Sequence, residues 1–239
     1  MFLDFIKKYR RVYVSAFVDD WKDKRDRDVF RPSGFQVYIG RQGSGKTISA
    51  VRHVLELKKR YPRAIIVTNL RLNVSWSYRE FSTVDELVEL LIEVQNGKYG
   101  VVYLIDEIHT YFNALDSKGI PSYIFTEISQ QRKQRKLIIG TSQLFMRIAK
   151  PFREQCDNMI SCDTWFGVLT RNRAYDGMTL EVDYDGSLIG DIKRKGYFWH
   201  DRKLRNSYDT YQKVISAKDQ MMSFDSISHY DGNRRRRRF

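Results

Sequence analysis

Long apolar runs are missing from this chain of 239 residues, and no stretch approaches the roughly 20 consecutive apolar residues that a bilayer-spanning helix needs. The N-terminus also lacks the apolar core and small-residue cleavage site of a secretory signal, so the chain is not expected to enter or cross a bilayer by itself. Cysteine is scarce. Cys156 and Cys162 are the two present, without C-x-x-C spacing or the density of a disulfide framework, which excludes a secreted staple fold and fits a reducing cytosol. The four histidines (53, 109, 200 and 229) are too scattered for sequence neighbours to build a metal cluster. An N-K-x-D guanine reader is also missing, which argues against a GTPase.

Positive charge is present in excess. Lys and Arg number 42 against 29 Asp and Glu, for a formal charge of +13. Charge of that size attracts polyanions, so nucleic acid or an anionic membrane surface is the expected partner, the plainer alternative being a basic soluble enzyme. Residues 1–17 set Phe2, Leu3, Ile6, Tyr9, Tyr13, Ala16 and Phe17 at helical spacing with Lys7, Lys8, Arg10 and Arg11 between them. That amphipathic basic helix suits peripheral membrane contact, a partner, or packing on its own domain. At the other end Arg234 to Arg238 close a stretch without periodicity. It reads as a disordered tail that either holds phosphates by counterion release or simply solubilises.

Gly40 to Thr47, GRQGSGKT, matches G-x-x-x-x-G-K-[ST] at every fixed position. Gly40, Gly43 and Gly45 let the backbone approach phosphates and form an anion nest, with Arg41, Gln42 and Ser44 supplying further amides and Lys46 a full charge. Thr47 offers a hydroxyl to Mg²⁺, and a helix starting here turns the positive end of its dipole, including the Ile48 amide, toward the same anion. The context is right. Phe35 to Ile39 is apolar and β-prone, while Ile48 to Tyr61 carries Val51, Val54, Leu55 and Lys58 at helical spacing.

Further buried strands are expected at Ala64 to Thr68, Val101 to Asp106 and Leu137 to Ser142. Between them, a helix over Ser82 to Val94 opens on an N-cap serine with Asp85 three residues on, and another runs from Pro121 to about Arg135 with Ile124, Phe125 and Ile128 inward. Strands alternating with helices imply an α/β fold with a mostly parallel sheet covered on both faces. Beyond Pro151 the pattern changes to strands at Asn158 to Thr170 and Thr179 to Tyr184, with glycine turns at Asp176-Gly177 and Asp185-Gly186, a small antiparallel C-terminal appendage. The divisions are residues 1–30, an N-terminal helix and linker; 31–155, an ATPase core; 156–215, a β-rich part of the same domain; and 216–239, the basic tail.

Asp106 ends an apolar strand, where its carboxylate can hold the Mg²⁺ bound by Thr47. Glu107 follows directly and is placed to polarise an attacking water, or merely to cap the next segment. Gln143 leaves the fourth strand within reach of a γ-phosphate, or is an ordinary turn residue. Arg132 and Arg135, three apart in QQRKQRK, fall on one helical face and are candidate arginine fingers for a neighbouring subunit, a solvated face or phosphate contacts with DNA being the alternatives.

GRQGSGKT, LIDEIHTYF, SQQRKQRKLIIGTSQ and the late RNSYDTY together resemble the zonula-occludens-toxin-like branch of the FtsK/HerA P-loop ATPases, which includes filamentous-phage assembly ATPases. The resemblance spans roughly residues 35 to 215. It implies a RecA-like core in which the strand leading to Gln143 separates the Asp-Glu strand from the phosphate-loop strand. It also implies ATP and Mg²⁺ as ligands, homo-oligomeric rings (often hexamers), and hydrolysis coupled to moving DNA alongside other phage assembly proteins. Phage assembly members commonly continue into a membrane-spanning helix that this sequence lacks, so the implied location is host cytoplasm, with peripheral attachment at the inner face of the membrane through residues 1–17 or a partner.

Three functions follow as expectations. The first is an ATP-hydrolysing motor for viral or mobile-element DNA packaging, virion assembly or extrusion. A small-molecule or nucleotide kinase also uses a phosphate loop, but needs an acceptor pocket for which the Asp-Glu pair is less natural. The third is a nucleotide-gated assembly protein with little hydrolysis.

Overall fold

A computed structural model describes residues 26, 28–113, 124, 128–131, 133–182 and 188–209. The expected basic helix at 1–17, Pro121, the placement of Phe125, Arg132, the Asp185-Gly186 turn and the tail from 210 onward, including Arg234 to Arg238, lie outside the described residues.

Strand β1 (Gly34–Ile39) runs into the phosphate loop, which opens helix α1 (Lys46–Arg60). Strands β2 (Ile65–Thr68) and β3 (Arg79–Glu80) precede helix α2 (Val84–Glu93) and strand β4 (Val101–Ile105). Strand β5 (Lys136–Ser142) and the short helix α3 (Lys150–Arg153) lead to β6 (Asn158–Trp165) and β7 (Leu169–Asp176). A two-stranded ribbon, β8 (Glu181–Val182) with β9 (Leu188–Ile189), precedes β10 (Ile192–Trp199) and the one-turn helix α4 (Arg202–Arg205).

Eight of these strands form one sheet in the order β10-β7-β6-β1-β5-β4-β2-β3. From β6 to β3 every pairing is parallel, and β7 and β10 extend the sheet antiparallel. β5 lies between β1 and β4, the arrangement the resemblance implies for a RecA-like P-loop fold. Every residue of β4 and β5 is buried, as expected of parallel strands covered on both faces.

Alternation along the strands divides the core in two. On one face Val102, Leu104, Leu137 and Ile139 pack against Val51, Val54 and Leu57 of α1. On the other, Val101, Tyr103, Ile105 and Ile138 pack against Leu87 and Leu91 of α2 and against Ile124, Ile128 and Phe152. Each such Val, Leu or Ile contributes about 1.5–3 kcal/mol by leaving water, so this burial, rather than helix propensity, fixes α1 and α2 against the sheet.

Four details differ from expectation. The N-cap of α2 is Thr83, not Ser82: its hydroxyl accepts from Glu86 N while the Glu86 carboxylate accepts from Thr83 N, and Asp85 stays outside this reciprocal box. The helix expected to reach Arg135 has given way to turns by Gln130. Gln131 is buried there, its amide nitrogen turned to donate to the Gly34 carbonyl, and Arg135 takes a left-handed φ of 53° to send the chain into β5. Arg135 therefore does not continue a helical face. The strand expected over 158–170 is a hairpin, turned by positive φ at Phe166 (52°) and Gly167 (67°). β10 was not anticipated, because IKRKGYFW is an edge strand whose K-R-K run and glycine give no apolar alternation.

Candidate nucleotide-binding site

Parallel strands deliver their carboxyl ends to one edge of the sheet, and the register decides which residues meet there. Ile39 is level with Ser142, and Ile105 with Gly140, so the phosphate loop, Gln143 and the Asp106-Glu107 pair leave neighbouring strands side by side. Gly45, at φ 85°, turns the loop into α1. A Cβ on it would overlap Thr164 Oγ1 and stand 2.6 Å from Thr170 Oγ1, so β6 and β7 press directly on the cradle. Thr164 Oγ1 donates to the Ser44 carbonyl at 2.8 Å and lies 2.6 Å from Thr170 Oγ1, which in turn lies 2.6 Å from His200 Nε2.

Thr47 Oγ1 donates to Asp106 Oδ1 at 2.9 Å, and Thr141 Oγ1 donates to the same oxygen at 2.7 Å. The Asp106 backbone is clamped by Asn69, which accepts from its N–H and donates to its carbonyl at 2.8 and 2.9 Å. Burial pushes the Asp106 carboxyl above its ordinary range, against the lowering effect of the two threonine hydroxyls. A buried carboxylate held by neutral donors is one that a cation would relieve.

Glu107 has a left-handed φ of 48°. Its N–H donates to Thr141 Oγ1 at 2.9 Å and its carbonyl accepts from Thr110 N and Oγ1, so the unusual backbone is held from both sides. Its Oε2 is buried without a hydrogen-bond partner, although His109 Nδ1 approaches to 3.3 Å outside hydrogen-bonding geometry. Burial, reinforced by Arg147 and Lys46, lowers the His109 pKa and so favours the neutral imidazole. Ser44 Oγ is likewise buried without a partner. Lys46, itself buried, folds back to donate to the Arg41 carbonyl at 3.2 Å.

These orphaned oxygens, the buried lysine and the acceptor-rich pair around Asp106 fit a Mg-triphosphate. Thr47 and Asp106 have the hard oxygen donors that Mg²⁺ prefers. Of the expected site residues, Gly40 through Ile48, Asp106, Glu107 and Gln143 share one edge. Arg135 does not join them. It lies at the amino end of β5, roughly 20 Å of strand from that edge, and its guanidinium donates to the Phe30 carbonyl at 3.2 Å. Asn69, Thr141, His109, Thr164 and Thr170 are additions to the expected site residues. Asn69 and Thr141 each sit at a strand's carboxyl end, a usable signal, whereas Thr164 and Thr170 meet only through a hairpin that nothing in the β-prone run over 158–170 announces.

Comparison with known proteins bears on the fold and the family. No curated protein sequence matches the chain. The crystal structure of the N-terminal domain of zonular occludens toxin from Neisseria meningitidis superposes with a TM-score of 0.56 at 13% identity, covering 74% of this chain and 99% of that one, which shows a shared fold. B204, the DNA-packaging ATPase of Sulfolobus turreted icosahedral virus, superposes at a TM-score of 0.47 and 15% identity over 69% of this chain and 100% of that one, a likeness too loose to support inference. The family described as Zonular occludens toxin (Zot) matches residues 35–185, most of the chain and all of the nucleotide edge, and the chain belongs to that family.

Proposed function

We propose that the chain hydrolyses ATP to drive a step of viral or mobile-element DNA packaging, virion assembly or extrusion, working as a ring of identical subunits. The observation that supports hydrolysis is the pairing of Thr47 with Asp106 beside Glu107, whose buried Oε2 has no hydrogen-bond partner. Mg²⁺, held by Thr47 and Asp106, would neutralise charge on the triphosphate when bound. The phosphate-loop amides and Lys46 orient the triphosphate, and Asn69 and Thr141 keep Asp106 from swinging away. Glu107 Oε2 accepts a proton from the attacking water, a role worth about 10²–10⁴-fold. Gln143, level with the phosphate loop, orients that water or the γ-phosphate.

DNA as the polymer moved is supported by the net charge of +13. Arg135 lies at the amino end of β5, where its guanidinium donates to the Phe30 carbonyl, so a finger role for it would be toward a neighbouring copy's nucleotide rather than its own; the same role is proposed for Arg132. Among the described residues no helix is long and apolar enough to cross a membrane; residues 1–17 and other assembly proteins are the proposed contacts at a membrane surface. The test is turnover of ATP and GTP with Mg²⁺, with and without DNA, alongside native mass. Turnover stimulated by DNA in an oligomer supports the motor, while binding without turnover favours the nucleotide-gated assembly protein.

A further inference from the structure

Residues directly opposite one another in paired strands share a face of the sheet. In β6, β7 and β10 the register aligns Trp165, Leu169 and Trp199 in one row and Asp163, Arg171 and Tyr197 in the next. The row between them, Thr164, Thr170 and Phe198, points to the opposite face, where Phe198 is buried in the α1 core and the threonines reach the phosphate loop. Trp165, Tyr197 and Trp199 therefore share the outer face. Their exposures are 38%, 56% and 69%, unusual for large aromatics lying together.

The rings of Trp165 and Tyr197 lie 6.4 Å apart, tilted by 39°, and the Arg171 guanidinium sits 4.8 Å above Trp165. Arg171 is neutralised by Asp163 at 2.9 Å. The following row adds Arg173 opposite Lys195, so the face carries excess positive charge beside its aromatics. Aromatic rings flanked by cations suit unpaired bases, which have free π-faces to stack and phosphates to neutralise, whereas a duplex hides those faces. A second copy docked on this face would add its own Arg173 and Lys195 to a surface that already carries excess positive charge.

We infer that this outer face of β6, β7 and β10 binds single-stranded nucleic acid, bases stacking on Trp165, Tyr197 and Trp199 and phosphates meeting Arg173 and Lys195. The inference rests on the reading of the chain as a DNA motor and gives that reading a surface. It also gives a route to the nucleotide. Thr164, next to Trp165, donates to the Ser44 carbonyl of the phosphate loop, so a strand that shifts Trp165 also shifts a support of the cradle.

The experiment uses the full chain and a fluorescently labelled oligothymidylate, with a duplex of equal length as comparison. Tyr197→Ala with Trp199→Ala should weaken oligothymidylate binding by at least about tenfold, given stacking worth about 1–3 kcal/mol per base, while leaving turnover without DNA and the melting temperature near wild type. Tyr197→Phe with Trp199→Phe should restore binding, and Lys195→Ala should lower the salt slope by about one. Equal binding by wild type and the double alanine variant overturns this surface alone. A wild type that hydrolyses ATP but binds no nucleic acid overturns the DNA reading beneath it. Loss of the oligomer in the double alanine variant assigns the face to a second copy and overturns the proposal as well.

Discussion

Asp106 Oδ1 accepts a hydrogen bond from Thr47 Oγ1 at 2.9 Å, joining the first turn of α1 to the end of β4 across 59 positions of sequence. Burial raises the Asp106 pKa above its ordinary 3.8. A carboxyl with a raised folded pKa favours the fold below its unfolded value, and that contribution is lost as pH climbs through the folded value. At neutral pH without Mg²⁺ the charge therefore costs stability. Asp106→Asn should melt higher than wild type at pH 7 by on the order of 2–4 °C, the shift that about 1 kcal/mol gives a domain of this size. The gain should vanish near pH 4, and turnover should be lost; differential scanning at the two pH values is the check.

Glu107→Gln keeps the shape of the side chain but removes its basicity. Turnover should fall by about 10²–10⁴-fold with nucleotide affinity changed only a few-fold, measured by phosphate release and by titration with a fluorescent ATP analogue. Undiminished turnover would remove Glu107 from the chemistry.

Gly43 and Gly45 both have positive φ, 77° and 85°, yet their surroundings differ. A Cβ at Gly43 meets nothing within 4 Å, so Gly43→Ala should cost only the left-handed backbone penalty of roughly 1–2 kcal/mol. Gly45→Ala must also displace Thr164 and Thr170, and should destabilise by a further 1 kcal/mol or more, as overpacking does. Urea unfolding of the two variants side by side compares them.

Thr164→Val removes the donor to the Ser44 carbonyl while preserving shape. It should cost about 1 kcal/mol of stability, or more if the carbonyl stays dry, and raise the KM for ATP more than it lowers kcat, since the loop would lose a support rather than a catalytic group. A KM identical to wild type would mean the hairpin is not a support of the cradle.

His53, His109 and His200 all have pKa values lowered chiefly by burial. An imidazole that resists protonation in the fold takes up its proton on unfolding, so stability should hold above pH 6.5 and drain away as pH falls below it. His53, buried against Tyr38 with its Nδ1 3.0 Å from the phenol oxygen, should contribute to the loss. The denaturant midpoint should fall between pH 7.5 and 5.5, and less steeply in His53→Gln.

Much of the nucleotide edge was legible in the chain because its parts are local. GRQGSGKT needs only its own backbone to form a cradle, and VVYLIDE is an apolar run that must be a strand and must end at its carboxylates. The C-terminal third was legible in class but not in detail. Trp165 to Val168 reads as a continuation of a β-prone run, and only positive φ at Phe166 and Gly167 shows the reversal. The Arg132 and Arg135 spacing looked helical because nothing in QQRKQRK announces that Gln131 is needed inside, against the start of β1.

The order of residues alone thus determined a phosphate cradle, an acidic strand end and an alternating α/β plan, since each depends on backbone conformation and apolar periodicity within about a dozen neighbours. Tertiary structure decided which side chains support the cradle and which face carries exposed aromatics. Register between β6, β7 and β10 sends Thr164 and Thr170 toward the phosphate loop and Trp165 and Trp199 outward, and a slip of one residue would exchange those faces. Register is set by pairing between strands distant in sequence, a property that no single stretch of the chain contains.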